Sequence, residues 1–114
     1  HAPMLTAADV DFYAGIRHAG AEPAPDPSFA PLSDTDFTGL PPTLCIAAEC
    51  DPLADDAAAY AARLRAAGGR AHSVTEKGLV HGYLRARATV PGAAESFRRI
   101  TDTLSAFAKG DWPF

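Results

Sequence analysis

The sequence predicts an α/β fold in which two parallel strands are joined by a crossover helix. The first strand stretch, Thr43 to Glu49, is almost continuously apolar, as a strand covered on both faces would be. The second, Ala71 to Thr75, is shorter and more polar, which is typical of a strand near a sheet edge. An amphipathic helical stretch lies between them, and strand, helix and strand in this order predict a right-handed parallel crossover.

The N-terminal part predicts one helix followed by a long loop. Thr6 is a suitable N-cap, Asp9 supplies an acid for the first turn, and apolar residues recur at helical spacing, so a helix is predicted over Ala7 to His18. Six prolines between Gly20 and Pro42 predict irregular structure. A loop above roughly 15 residues is unusual in a small compact domain but natural on the surface of a larger body.

Two further helices are predicted after the first strand. The crossover helix follows Asp51-Pro52-Leu53 and ends at Gly68-Gly69. Its predicted apolar face consists of Ala57, Tyr60, Ala61 and Leu64. The last helix begins near Pro91, and its predicted apolar face consists of Phe97, Ile100, Thr101, Leu104, Phe107 and Ala108.

Composition excludes several classes of protein. No apolar run approaches the roughly 18 residues that cross a bilayer, so no membrane span is predicted. The net charge is −4 and the arginines are interspersed with acids and alanines, so nucleic acid is not an expected partner. Cys45 and Cys50 resemble neither a disulfide framework nor a zinc signature, which favours a reducing, cytoplasmic compartment.

The predicted elements cannot complete a sheet. A strand that is apolar on both faces needs strands beside it and helices above and below it, whereas this chain offers one further strand. We therefore expect another segment or chain to complete the sheet. The chain opens at His1 without a methionine, so an upstream part is expected to have been removed or to form a separate chain. Residues 1–114 are accordingly interpreted as the C-terminal part of a single domain.

Two candidate residues for chemistry follow the two strands. Asp51 comes directly after the first strand, and His81 lies in the predicted loop Glu76 to Tyr83 after the second. The carboxyl ends of parallel strands lie at one edge of a sheet, so the crossover predicts that these side chains are neighbours. A carboxylate that accepts the Nδ1 proton of an imidazole leaves Nε2 free as a general base. Glu49 is the reserve candidate for the acid.

Structural roles compete with this interpretation. Asp51 before Pro52 is also the pattern of a helix N-cap followed by proline, which needs no chemistry. His81 taken alone is a common type of surface-loop residue.

Three blocks of sequence favour the catalytic interpretation. Leu40 to Leu53, Tyr60 to Gly68 and Gly78 to Tyr83 occur in this order and resemble the C-terminal third of the hormone-sensitive-lipase-like family of bacterial esterases. The resemblance implies the C-terminal portion of an α/β-hydrolase fold. Its Asp-Pro-Leu aspartate and His-Gly histidine correspond to Asp51 and His81, the acid and the histidine of a Ser-His-Asp triad.

The chain departs from this family's pattern in two ways. It contains neither a Gly-x-Ser-x-Gly elbow nor a His-Gly-Gly-Gly motif, and none of its serines has flanking glycines. The resemblance places both motifs upstream of His1, on a second segment or chain, and the 114 residues alone are expected to be inactive. Cys50 stands beside the acid and is a conceivable thiol nucleophile paired with His81, although buried packing is the simpler role for both thiols.

The resemblance implies a serine carboxylesterase that acts on short- to medium-chain acyl esters and requires no metal or organic cofactor. Tyr83 and Leu84 are candidates to line the substrate pocket, or else they pack against the sheet. The edge strand and the last helix are candidate homodimer surfaces. The alternatives are a non-catalytic fragment that binds and stabilises a partner chain, and a freestanding ligand-binding α/β domain.

Overall fold

The computed structural model describes residues 3–21 and 24–114 of the chain. Within these residues, three helices, α1 to α3, and two strands, β1 and β2, follow one another. In chain order they are α1 (Ala7–Arg17), β1 (Thr43–Cys50), α2 (Ala54–Ala66), β2 (Ala71–Val80) and α3 (Pro91–Ala108), with short 3₁₀ turns at Pro31–Ser33 and Tyr83–Ala86.

The parallel crossover predicted from the sequence is confirmed. β1 pairs with β2 in parallel, from Thr43 opposite Ala71 onwards, and α2 connects them. The helix packs on the sheet through Ala61 and Leu64, which are fully buried and belong to the predicted apolar face of α2. Methylene burial of this kind stabilises a fold by roughly 0.8 kcal/mol per buried CH₂ group, so Leu64 anchors this layer.

Helix α1 starts where its cap predicts. The Thr6 hydroxyl accepts the Asp9 N–H at 3.2 Å, and the Asp9 carboxylate accepts the Thr6 N–H at 2.8 Å, which together form a capping box. The helix ends at Arg17, one residue before the predicted end. No residue of α1 is buried, and Phe12 and Ile16 are 64% and 63% exposed. Helix α1 therefore presents apolar side chains that nothing in the described part of the chain covers.

The proline-rich loop lies against α2 instead of projecting from the fold. Phe37 is buried in the core and meets the Tyr60 ring edge-on at 5.4 Å between centroids. Arg63 donates a hydrogen bond to the Leu32 carbonyl. The loop is thus held by side-chain contacts, with one short 3₁₀ turn as its regular structure in the described residues.

Strand β2 is longer than the sequence analysis predicts. It continues past Thr75 to Val80, so most of the predicted loop from Glu76 is strand and His81 follows it directly. The two strands stay paired there because a bulge takes up the additional residues of β2 and shifts the register. Gly78 adopts φ +69° within this bulge. Glycine carries no penalty at positive φ, so the chain stays paired where a turn was expected.

The apolar face predicted for α3 is covered only in part by the described residues. The helix starts at Pro91 as predicted, but its buried residues are Ala93, Ser96 and Thr103. Leu104 on the predicted face is 66% exposed, and Phe97 is 41% exposed. Ile100 and Phe107 of the same face are half-buried and line a hollow against Leu44 and Ile46 of β1. The described residues therefore cover the stripe only partly.

Apolar hollows flank β1 on both sides. A cavity of about 1010 Å³ runs between α1, the proline-rich loop, β1 and α2, and a second of about 340 Å³ lies between β1 and α3. Ile46 lines both. The first four residues of β1 are only half-buried, because among the described residues one strand instead of two lies beside it. Among the described residues, no helix combines the length and the apolar character needed to cross a membrane.

The open edge of β1 predicts a specific pattern of amide exchange in the isolated chain. The Thr43 N–H donates to the Arg70 carbonyl on the β2 side, and successive strand amides alternate in direction. We therefore expect the amides of Leu44 and Ile46 to exchange much faster than those of Cys45 and Ala47, as measured by hydrogen–deuterium exchange with NMR detection.

Addition of the segment that completes the sheet should protect Leu44 and Ile46 by about 100-fold or more, since their amides would then bond to a neighbouring strand. Strong protection of both residues in the isolated chain would instead indicate a self-sufficient domain and would contradict the incomplete-sheet interpretation.

Candidate active site

Asp51 and His81 meet at the carboxyl edge of the sheet. Asp51 Oδ2 lies 2.8 Å from His81 Nδ1, within hydrogen-bond distance. An ionised carboxylate can only accept, so a hydrogen bond here has its proton on Nδ1, and in a neutral imidazole Nε2 is then the acceptor. The predicted proximity of the two residues is therefore observed, and the contact is compatible with the tautomer that a general base needs.

The second oxygen of Asp51 fixes the orientation of the carboxylate. Oδ1 accepts the Leu53 N–H at 3.0 Å, and helix α2 begins only at Ala54, with Leu53 at its N-cap position. Asp51 therefore closes an Asx turn before the helix and is not its N-cap. One oxygen holds the turn while the other is directed at His81, so the turn and the contact with the imidazole coexist, whereas the N-cap role weighed from the sequence falls to Leu53.

The two partners differ in exposure to solvent. The Asp51 side chain is 11% exposed, whereas that of His81 is 47% exposed. Immediately after it, Gly82 takes the left-handed conformation at φ +71° and turns the chain into the 3₁₀ segment Tyr83–Ala86. The site is thus a shielded carboxylate behind an accessible imidazole.

Glu49, the reserve acid, bonds to other groups. Its carboxylate accepts from Lys77 Nζ at 2.7 Å and from the Gly78 N–H at 2.8 Å. The hydrogen bond from Lys77, aided by that from Gly78, holds the pKa of Glu49 below its usual value, and the same contact raises the pKa of Lys77. The carboxylate that contacts the His81 imidazole is that of Asp51 and not that of Glu49. Lys77 and its pairing with Glu49 carry no signal in the sequence.

Tyr83 and Leu84 follow the histidine closely. The Tyr83 hydroxyl lies 2.6 Å from the Oγ of Ser96, which is fully buried in α3. Leu84 is half-buried, and its carbonyl accepts a hydrogen bond from Arg87. Tyr83 thus ties the segment after His81 to α3, a contact for which the sequence offers no signal. Pocket lining by either residue stays a prediction.

Both cysteines are free thiols, and the hydrogen-bond partner of His81 is Asp51 rather than Cys50. Burial raises the pKa of the Cys45 thiol, which opposes thiolate formation, while the charge of Arg65 acts weakly the other way.

Within residues 3–21 and 24–114, no group of three or more histidine, cysteine or acidic residues could hold a metal ion.

Comparison with known proteins assigns the chain to a family. The sequence profile of a family described as alpha/beta hydrolase fold matches residues 1–85. Carboxylesterase NlhH of Mycobacterium tuberculosis is 46% identical over 66 residues, which cover 58% of this chain and 21% of NlhH. Carboxylic ester hydrolase LipN of the same organism is 33% identical over 105 residues, which cover 90% of this chain and 28% of LipN.

A solved structure agrees with these sequence matches. The hyperthermophilic esterase from the archaeon Pyrobaculum calidifontis superposes with a TM-score of 0.81 at 31% identity, over 92% of this chain and 33% of that one. The chain spans between about a fifth and a third of the length of these relatives. Its two parallel strands and their helices are a fragment of the common fold. The chain therefore belongs to the α/β-hydrolase family, in the hormone-sensitive-lipase-like branch that its sequence blocks resemble.

Proposed function

We propose that this chain supplies the acid and the histidine of a Ser-His-Asp triad in a carboxylic ester hydrolase. The observation that carries the proposal is the 2.8 Å contact between Asp51 Oδ2 and His81 Nδ1 at the carboxyl edge of the parallel strands. Ligands of open α/β sheets bind at this edge. The names of the relatives, carboxylesterase and carboxylic ester hydrolase, support the same reaction class.

The nucleophile of the proposed enzyme belongs to another segment or chain. Ser96 is occupied by Tyr83 and buried, and none of the chain's serines stands between flanking glycines. The uncovered apolar side of α1 and the single-sided pairing of β1 support a body of protein that packs against them. We propose that this body carries the Gly-x-Ser-x-Gly elbow and the His-Gly-Gly oxyanion motif.

The proposed reaction has two halves. The external serine hydroxyl attacks the ester carbonyl while His81 Nε2 takes its proton, and the carboxylate of Asp51 stabilises the resulting imidazolium. The tetrahedral intermediate collapses to an acyl-enzyme as His81 returns the proton to the leaving alcohol. Water then attacks the acyl-enzyme with His81 as base, which releases the carboxylic acid and restores the serine.

Substrate and assembly complete the proposal. We propose short- to medium-chain acyl esters as substrates, with Tyr83 and Leu84 near the pocket because they follow the catalytic histidine within three residues. The outer edge of β2 and the exposed stripe of α3 are available for homodimerisation, since an unpaired edge and an apolar stripe both favour association.

Labelling with a fluorophosphonate tests the location of the nucleophile, since such reagents modify activated serines. The protein that contains this chain together with its remaining segments would be treated with the reagent, digested and mapped by tandem mass spectrometry. We expect one modified serine, flanked by glycines and outside residues 1–114, and loss of esterase activity in step with its modification.

A matched sample of the same protein, unfolded in denaturant before labelling, controls for intrinsic reactivity and should remain unlabelled. Stoichiometric modification of Ser28, Ser33, Ser73, Ser96 or Ser105, with loss of activity, would contradict the proposed division of the triad.

A further inference from the structure

The bulge in β2 changes the register of the two strands just before the candidate site. Ala48 lies opposite Glu76, but Cys50 lies opposite Val80, so β1 advances by two residues while β2 advances by four. The additional residues are accommodated around Gly78, whose φ of +69° belongs to the left-handed region. The bulge is therefore a defined backbone feature with a glycine at its centre.

This change of register brings the histidine beside the acid. If the pairing before the bulge continued unchanged, Asp51 would face Leu79. His81 would then lie two residues farther along the strand, about 6.6 Å away. A shift of two residues also keeps each side chain on its own face of the sheet. The 2.8 Å contact between Asp51 and His81 thus depends on the bulge staying formed.

Glu49 is the side chain that bonds to the bulge. It lies on β1 between the last regular pair and the shifted one, and its Oε2 accepts the Gly78 N–H at 2.8 Å. Its Oε1 accepts from Lys77 Nζ at 2.7 Å, in an ion pair whose lysine side chain is 82% exposed. Exposed pairs of this kind contribute little. The bond to the backbone of Gly78 is consequently the one that holds the bulge.

We propose that Glu49 is a positioning residue that sets the His81 imidazole against Asp51 by holding the β2 bulge. The proposal rests on the proposed triad, because it assigns to Glu49 an effect on the same histidine. It also explains why a carboxylate two residues before the acid makes no contact with the imidazole: its two oxygens are already used by the segment that delivers His81.

The test compares three substitutions in the complete enzyme with a short-chain ester as substrate. Glu49→Ala removes both contacts and is expected to lower kcat by about 30-fold with KM nearly unchanged, since misplacement by about 1 Å costs up to roughly 100-fold in rate. Glu49→Gln keeps an oxygen for the Gly78 N–H and should stay within about threefold of the parent. Lys77→Ala removes only the exposed ion pair and should leave kcat unchanged.

A spectroscopic measurement distinguishes positioning from a general loss of stability. The Nδ1 proton shared by His81 and Asp51 should give a far-downfield ¹H NMR resonance in the parent, in Glu49→Gln and in Lys77→Ala. We expect this resonance to broaden or disappear in Glu49→Ala. Glu95→Ala, at an exposed acid on α3, is the matched control and should change neither the resonance nor kcat.

Gly78→Ala tests the same bulge if Glu49→Ala does not fold. An added Cβ would meet no atom within 4 Å, so the substitution strains only the positive φ. It should lower kcat as Glu49→Ala does. Parent-like kcat and an intact downfield resonance in either folded variant would overturn the positioning role. Full activity in His81→Ala would instead overturn the triad itself, so the two failures are distinguishable.

Discussion

Replacement of His81 by alanine is expected to lower kcat/KM of the complete enzyme for a short-chain ester by about 10⁴-fold or more. The imidazole is the group that takes the serine proton, and its Nδ1 contact with Asp51 at 2.8 Å sets the tautomer for that task. Alanine leaves no general base at this edge of the sheet. The measurement is steady-state hydrolysis of a chromogenic acetate or butyrate ester, with the same variant followed by thermal unfolding.

His72→Ala is the matched control for this substitution. His72 lies on the same strand, β2, near its start, and its ring stacks on Phe114 at 4.2 Å between centroids. It makes no contact with the site, so kcat/KM should not change. If His81→Ala retains full activity while removal of the chain unfolds the assembly, the chain is a stabilising fragment without a chemical role, and the triad proposal is wrong.

The order of elements could be predicted from the sequence because each element carries its own local signal. The apolar run that becomes β1 and the glycines after α2 are readable without tertiary information. The neighbourhood of Asp51 and His81 could be predicted from topology, since parallel strands joined by a helix bring their carboxyl ends together, but the register that sets them opposite each other comes from the bulge. Local pattern and one topological rule therefore indicated the pair, and the resemblance to the esterase family favoured its catalytic interpretation.

The bulge could not be predicted, because its cause is spread over two strands. Gly78 is the one local sign, and a glycine among polar residues indicates a turn as readily as a bulge. What selects the bulge is the Glu49 carboxylate on the neighbouring strand, which is 29 residues away in sequence. Glu49, the reserve candidate for the acid, is thus recognised as a candidate positioning residue only when the pairing of β1 with β2 is known.

The same limitation applies to α3 and to Tyr83. Helical periodicity identifies an apolar stripe on α3 but not which body covers it, and the described residues bury small and polar positions such as Ser96 instead. A serine in a helix gives no sign that a tyrosine hydroxyl 13 residues earlier will lie 2.6 Å from it. These contacts depend on tertiary packing. Under the proposed function, part of that packing comes from another segment or chain.

Asp51→Asn is expected to lower kcat by about 10³- to 10⁴-fold at neutral pH, with KM and the unfolding temperature close to those of the parent. The asparagine oxygen can still accept the Leu53 N–H and hold the turn before α2. Its amide group, however, would donate towards His81 Nδ1, which favours the tautomer with the proton on Nε2 and removes the base. The measurement is steady-state kinetics together with thermal unfolding of the same preparation.

Asp55→Asn provides the matched control for Asp51→Asn, because Asp55 is an exposed acid in the first turn of α2 and affects only the helix terminus. We expect parent-like kcat from this control. A loss of activity in Asp51→Asn that merely follows a lowered unfolding temperature would make Asp51 a structural turn residue. Parent-like kcat in Asp51→Asn would exclude it as the triad acid, and Glu49→Gln would then have to abolish activity. The 2.8 Å bond from Asp51, with both Glu49 oxygens already engaged, predicts the opposite pattern.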